Sequence, residues 1–298
     1  MYARAFAPGH ITGFVEFPKI ESGILFKGSK GAGVCIEKGI ITEAWVYKSD
    51  VNKVEIEIDG YTSDTEVSSY VVNEYINMLE YPVYIRIKHR VDIPIGYGLG
   101  SSGAAALSLS YALNKALGTG LSKQDAARIA HKADIECRCG AGTVIAEYHG
   151  GFEMRLSSGA PGIGVVNSMP LHGYKVIALC INPYPTREFL TNRMDMINGL
   201  GGKMLKRLVS DPSVDEFMDM SLTFAKSIEF ISSEASTIID RLREYGYGTS
   251  VALFGNTVFS IVKDCYAEHL YSILAGIKDE KSILLISDVD NRGARLIG

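Results

Sequence analysis

Cysteine is sparse in this chain and odd in number. Five are scattered through 298 residues, at Cys35, Cys137, Cys139, Cys180 and Cys265. Such a set gives no disulfide framework and fits reduced thiols, so a cytoplasmic protein is expected. Cys137 and Cys139 stand close together, but no second cysteine or histidine pair stands at zinc-ligand spacing. A surplus of positive charge is also missing. Thirty Lys and Arg face 34 Asp and Glu, for a net charge of −4. No basic cluster is interleaved with aromatics, so a nucleic-acid partner is not expected. The start, Met1-Tyr2-Ala3-Arg4, lacks a basic-then-apolar leader, and no secretion signal is expected. Long apolar runs are absent too. The uncharged stretch from Ile93 to Asn114 is interrupted by Pro94 and by glycines and serines, which argues against a membrane span. There is no internal repeat and no low-complexity segment.

What is present is an ordinary globular composition, 47% apolar and 21% charged. The length suits one large domain or two lobes. The stretch that stands out is Pro94-Ile95-Gly96-Tyr97-Gly98-Leu99-Gly100-Ser101-Ser102-Gly103-Ala104. It follows an alternating strand pattern (Val83, Ile85, Ile87 against Tyr84, Arg86, Lys88) and opens a helix rich in Ala and Leu, Ser102 to Leu117. Its glycines allow close backbone approach. Its serines stand where amides at a helix start have no intrahelical partner. Such a place attracts phosphate, so the loop is read as the cradle of a nucleotide's phosphates. Gly98 to Gly103 also fits the dinucleotide pattern G-x-G-x-x-G, but a second helix follows instead of a strand. No Gly-Lys-Ser/Thr closes the loop, so it is not a P-loop. A serine-nucleophile turn fails as well, because Ala104 stands where G-x-S-x-G needs its last glycine. The plainest reading is a tight turn before a buried helix.

Other punctuation surrounds this stretch. Ala7-Pro8-Gly9-His10 is expected to break a first strand and to present a histidine. Gly28 to Gly33 reads as a tight glycine-rich hairpin turn that could also touch a small polar ligand. Strands are expected over 40–47, 54–58 and 83–91, with a helix between the last two. A capped helix runs from about Ser122 to Glu136. On it His131 and Asp134 share a face, whereas Asp134 and Glu136 point differently. Phe152 to Leu156 reads as a strand carrying Arg155. Ser157 to Gly164, rich in Ser, Gly and Pro, is the expected lobe boundary, dividing the chain into 1–160 and 161–298. Beyond it come a buried strand, helices to about residue 245, and a Gly255-Asn256 hairpin.

Together these turns resemble the GHMP small-molecule kinases. Ala7-Pro8-Gly9-His10 is similar to that family's first motif, Pro94 through Ala106 to its phosphate loop, and Gly246 to Ser250, weakly, to its third. The resemblance spans essentially the whole chain. It implies an α+β fold, with an N-terminal ATP-binding lobe like ribosomal protein S5 domain 2 and a ferredoxin-like C-terminal lobe. Pro8 to Phe14, Gly28 to Gly33, His131 to Val144, Pro185 to Glu188 and Leu253 to Phe259 are similar to the branch that phosphorylates pantoate. The implied activity is ATP-dependent phosphorylation of pantoate's primary hydroxyl to 4-phosphopantoate in archaeal coenzyme A biosynthesis. A GHMP kinase for homoserine, a sugar or an isoprenoid alcohol, and a binding regulator that has lost catalysis, are the alternatives.

The resemblance also implies roles. Pro94, Gly96, Gly98, Leu99, Gly100, Ser101, Ser102, Gly103 and Ala104 would hold ATP. Ser102 and Asp134 (or Glu136) would hold Mg²⁺. Ser29, His131, Arg155, Thr186 and Gly248 would contact the substrate, with Arg155 as the fork for its carboxylate. His10 and Thr143 join Ser102 and Asp134 in the catalytic set. Most family members have Lys at His10 and Asp at Thr143. A threonine hydroxyl does not take a proton at neutral pH, so base catalysis from position 143 is not expected. A homodimer without membrane contact completes the expectation.

Overall fold

The computed structural model describes residues 1–20, 23–59, 65–140, 142–184 and 197–298. The larger sheet is built from β1 (Tyr2–Glu16), β2 (Lys30–Lys48), β3 (Lys53–Ile58), β4 (Val83–Val91), β5 (Phe152–Ser157), β6 (Val165–Met169) and β11 (Arg295–Leu296). Its order is β11-β1-β2-β4-β3. The 19-residue β2 is long enough to serve two partners on one edge: its start pairs with β5, Gly31 opposite Arg155, and its end with β4, Ile40 opposite Val91. The expected alternation in β4 holds, with Val83, Ile85 and Ile87 buried and Arg86 exposed. In the edge strand β3, Ile56 and Ile58 are half-buried and Val54 is exposed.

Two expected turns are strand instead. β1 runs through Pro8-Gly9-His10 without a break; the irregularity is a register shift between Pro8 and Gly9, beside the residue that has no amide to donate. Gly31 and Gly33 lie inside β2, against the backbone of β1. A Cβ on either would run into a β1 carbonyl, of Phe14 or of Ile11. Glycine there serves close strand approach rather than a hairpin turn.

Helices α1 (Glu66–Ile76), α2 (Ser101–Leu117), α3 (Lys123–Glu136) and α4 (Thr143–His149) accompany this sheet. Buried Ala104, Leu107, Ala112 and Leu113 of α2 share one core with Val34, Ile36, Ile85 and Ile87. The expected cap of α3 is present, the Ser122 hydroxyl accepting from the Asp125 amide at 3.0 Å.

The second sheet contains β7 (Tyr174–Asn182), β8 (Ser250–Val251), β9 (Asn256–Lys263) and β10 (Ile283–Asp288), all antiparallel, in the order β10-β7-β9-β8. Among the described residues, α5 (Leu200–Ser210), α6 (Val214–Ser227) and α7 (Ser233–Glu244) lie between β7 and β8, and α8 (Asp264–Ile277) between β9 and β10. Strand order 4-1-3-2 with helices after the first and third strands is the ferredoxin-like arrangement. The sheets do not part at residue 160: β6 and β11, both later in the chain, belong to the larger one. The last residues are tied in, Ala294 N–H donating to the Glu147 carbonyl at 2.8 Å and Ile297 N–H to that of Arg4 at 3.0 Å. No helix among the described residues is long and apolar enough to cross a membrane.

Two of the contacts between the lobes bear on the cleft. Phe217 of α6 packs against Phe14 and Phe152 of the larger sheet and Phe259 of the smaller, at ring separations of 6.1, 5.1 and 6.5 Å. The glycine-rich loop before α2 lies backbone to backbone on the turn between β8 and β9. A Cβ at Gly98, whose φ is +76°, would come within 2.8 Å of Gly255 N and Leu253 O, and one at Gly255 would collide with Tyr97. Thr257 Oγ1 donates to the Tyr97 carbonyl at 2.8 Å across the same seam. Overpacking a tight contact costs about 1–3 kcal/mol. Gly255→Ala is therefore expected to lower the thermal unfolding midpoint by roughly 2–4 °C per kcal/mol lost, read by calorimetry. An unchanged midpoint would show that this seam yields freely.

Candidate active site

The loop from β4 to α2 is shaped by alternate glycines. Gly96, Gly98 and Gly100 have φ of +87°, +76° and +73°. This turns successive amides toward one side, as in an anion-binding nest. The loop's back is fixed to β1, His10 N–H donating to the Leu99 carbonyl at 3.0 Å. Gly100 caps α2 without a side chain, and Ala104 N–H is the amide that closes on its carbonyl, at 3.0 Å. The amides of Ser101, Ser102 and Gly103 thus precede the helix's own ladder. Ser101 and Ser102 border a cleft with about 640 Å³ of empty space, counting its mouth.

Beside this helix start stands a carboxylate. Ser102 Oγ donates to Asp134 Oδ1 at 3.1 Å, while Asp134 Oδ2 is buried with no partner. Burial pushes the Asp134 carboxyl up to about 6, against the opposing effect of the bonds from Ser102 and the Gly142 amide. Glu136, two residues on, is exposed. Helical geometry therefore settles which of the two acids stands beside Ser102. A hydroxyl and a carboxylate side by side fit Mg²⁺, which takes oxygen ligands and draws the rest from phosphate and water. No group of three or more His, Cys, Asp or Glu placed to hold a metal occurs among the described residues.

Thr143 opens α4 and lines the cleft, its hydroxyl buried without a partner. One turn later Glu147 is fully buried, with neither carboxyl oxygen hydrogen-bonded. It fills the space left by the missing side chain of Gly103. A Cβ there would be 2.7 Å from both Glu147 Oε2 and Thr143 Oγ1. Burial, reinforced by Asp134, raises the Glu147 carboxyl well above the usual range.

A buried charge cluster also borders the cleft. Glu153 Oε1 accepts from His10 Nε2 at 2.9 Å and also from Arg155 Nη1, whose guanidinium stands 3.4 Å from His10 Nε2. The three side chains are at most 1% exposed. They can meet because Gly33 pairs with Thr12 on one side and Glu153 on the other, and a Cβ there would strike the His10 ring. The anion offsets the buried guanidinium, whose Nε still lacks a partner. Arg155 thus arrives at the cleft already oriented and with donor capacity to spare.

The remaining expected residues are distributed as follows. Ser29 lines the cleft, close to Gly142 at the head of α4. His131 is fully buried behind Gly28, and burial pushes its ring down to about 4, so it is neutral at pH 7. Gly248 packs against Met218 and is not among the residues lining the cleft. Thr186 lies outside the described residues. Sequence reasoning missed Glu153 and Glu147. The signals were Glu153 two residues before Arg155 on one strand face and Glu147 four after Thr143 on one helix face.

Comparison with known proteins agrees with this geometry. Residues 68–151, which hold the loop, α2, α3 and α4, match the family profile described as GHMP kinases N terminal domain. The chain is 33% identical over 273 residues to a pantoate kinase of Methanocaldococcus jannaschii, covering 90% of this chain and 96% of that one. It is 30% identical over 283 residues to one of Thermococcus kodakarensis, covering 92% of each. A solved structure described as a phosphotransferase related to the CoA biosynthesis pathway superposes with a TM-score of 0.89 at 26% identity, over 99% of this chain and 98% of the other. The chain belongs to the pantoate kinase family, within the GHMP kinases.

Proposed function

We propose that this protein transfers the γ-phosphoryl group of ATP to the primary hydroxyl of pantoate, releasing ADP and 4-phosphopantoate on the way to coenzyme A. The observation that carries the reading is one cleft lined both by the glycine-rich loop with Ser102, which is paired to Asp134, and by the Arg155 guanidinium. The nest suits a polyphosphate and the guanidinium suits a carboxylate, so the two substrates have separate anchors.

Each residue's part follows from its surroundings. Amides from Gly98 to Ala104 hold the phosphates. Ser102 and Asp134 would hold Mg²⁺, which would neutralise charge developing on the transferred group. Arg155, steadied by Glu153, grips the pantoate carboxylate, and Ser29 supplies a hydroxyl beside it. Neutral His131 supports Ser29's segment or donates a hydrogen bond; it adds no charge. Positioning of this kind is most of what phosphoryl transfer asks of a protein. A cytoplasmic homodimer goes with the same reading.

The direct test is ADP release that requires pantoate, Mg²⁺ and ATP together, set beside homoserine, mevalonate and sugars. Release equal with any of these alcohols would overturn the substrate assignment. Asp134→Asn is expected to lower kcat at least about 100-fold, the scale of losing one transition-state charge contact. The same change removes a buried charge, so it should raise the unfolding midpoint of the ligand-free protein at pH 7.5. Because the Asp134 carboxyl titrates near 6 when no metal is bound, apparent Mg²⁺ affinity should hold above that pH and fall below it, as titration calorimetry in the presence of ATP would read. Arg155→Lys, which loses the planar fork, should raise the KM for pantoate by about tenfold or more with a smaller change in the KM for ATP.

A further inference from the structure

Transfer to a hydroxyl releases a proton, and a side chain at the cleft other than Asp134, which is given above to the metal, can take it. The polar side chains lining it are His10, Thr12, Ser29, Ser101, Ser102, Cys139, Thr143 and Arg155. Hydroxyls and a guanidinium do not accept a proton near neutral pH. Cys139 is a thiol donating to the Cys137 carbonyl at 3.2 Å. His10 differs, because its protonation pattern can be read from its neighbours. Its Nε2 lies 2.9 Å from Glu153 Oε1, and two lone pairs at that distance would repel, so Nε2 carries the hydrogen and donates. Arg155, which can only donate, satisfies the same oxygen from another side. The carboxylate at 2.9 Å outweighs the more distant Arg155 Nη1, 3.4 Å from the same nitrogen, and favours the tautomer with its lone pair on Nδ1. Nδ1 lies 3.4 Å from Thr12 Oγ1, a hydroxyl that also lines the cleft.

We infer that His10 Nδ1, reached through the Thr12 hydroxyl, accepts the proton of the phosphorylated alcohol, and that Glu153 is the positioning residue that sets its tautomer. This rests on the kinase reading above. The alcohol oxygen's electron pair forms the new bond to the γ-phosphorus, and the bond from that phosphorus to the β,γ-bridging oxygen breaks, its electrons leaving with ADP. The alcohol's proton passes to Thr12 Oγ while the Thr12 proton passes to Nδ1. The imidazolium so formed faces the Glu153 carboxylate, and the proton returns to solvent after product leaves. The charged and titratable groups around the ring are Glu153 and Arg155 on β5, Cys35 across the strand pair on β2, and Glu147, which shares the close approach to Gly100 with it. Burial holds the His10 ring below its ordinary value of 6.5 in spite of Glu153, so the accepting form is the resting form at pH 7.

His10→Gln keeps an amide donor near the Nε2 position and removes the Nδ1 acceptor. At saturating pantoate and magnesium ATP, kcat of the unsubstituted protein should be flat near pH 7 to 8 and fall at acid pH, as the ring protonates. His10→Gln should lower kcat by about 10²–10⁴-fold and abolish that acid limb. Thr12→Val should lower kcat with little change in the KM for pantoate, and it decides the question if the glutamine variant does not fold. A kcat within about threefold of the parent, with the acid limb intact, in whichever variant is folded would overturn the assignment. Such a result would leave the kinase reading standing. Absence of pantoate-dependent ADP release from the unsubstituted protein would overturn the kinase reading and this inference together.

Discussion

The rest of the structure depends on a seam where backbone touches backbone. The turn between β8 and β9 presses on the glycine-rich loop at Gly98 and Gly255, with no side chain between them. The loop cannot hold its reversed amides by its own hydrogen bonds, because those amides must stay available to a ligand. It is held from outside instead: by Leu99 against β1, by Tyr97 against Thr257, and by Gly96 against the Tyr184 amide at 2.8 Å. The smaller sheet therefore helps to shape the glycine-rich loop even though it contributes few side chains to the cleft. That explains why one hydrophobic core runs through both lobes and why Phe217 touches strands from each.

The second organising feature is how the cleft distributes charge. A net-negative substrate pair must enter a site that already holds Asp134, Glu147 and Glu153. The structure handles each differently. Glu153 is matched by Arg155 and His10. Asp134 is half-satisfied by Ser102, with one oxygen left for a cation. Glu147 is sealed under α2, where burial disfavours its charged form. Three acids within one small region thus present much less negative charge than their number implies, and the nest at the head of α2 is not cancelled.

The glycine-rich loop, α2 and the way Asp134 and Glu136 point differently were legible in the sequence, because each depends on spacing along one helix or one turn. The ferredoxin-like order was legible only through family resemblance; periodicity alone gave strands and helices without their neighbours. Pro8-Gly9 and Gly31-Ala32-Gly33 were misread for one reason. Glycine and proline mark turns locally, but here they sit in paired strands, where the requirement is close approach or a tolerated register shift. Glu153 was invisible for a related reason. Its meeting with His10 depends on β1 and β5 flanking β2 in a register that places Gly33 between them, a fact about three strands that no single segment encodes.

The edge of the larger sheet carries a consequence for biogenesis. β11, at residues 295–296, pairs with β1, at residues 2–16, while Ala294 anchors the helix that bears Glu147 and Thr143. A nascent chain could assemble most of the sheet early, but its flank would stay open until synthesis reaches those late residues. Without residues 294–297 that edge of β1 and the end of α4 would lack these hydrogen bonds, and an unpaired strand edge is prone to adhering to other chains.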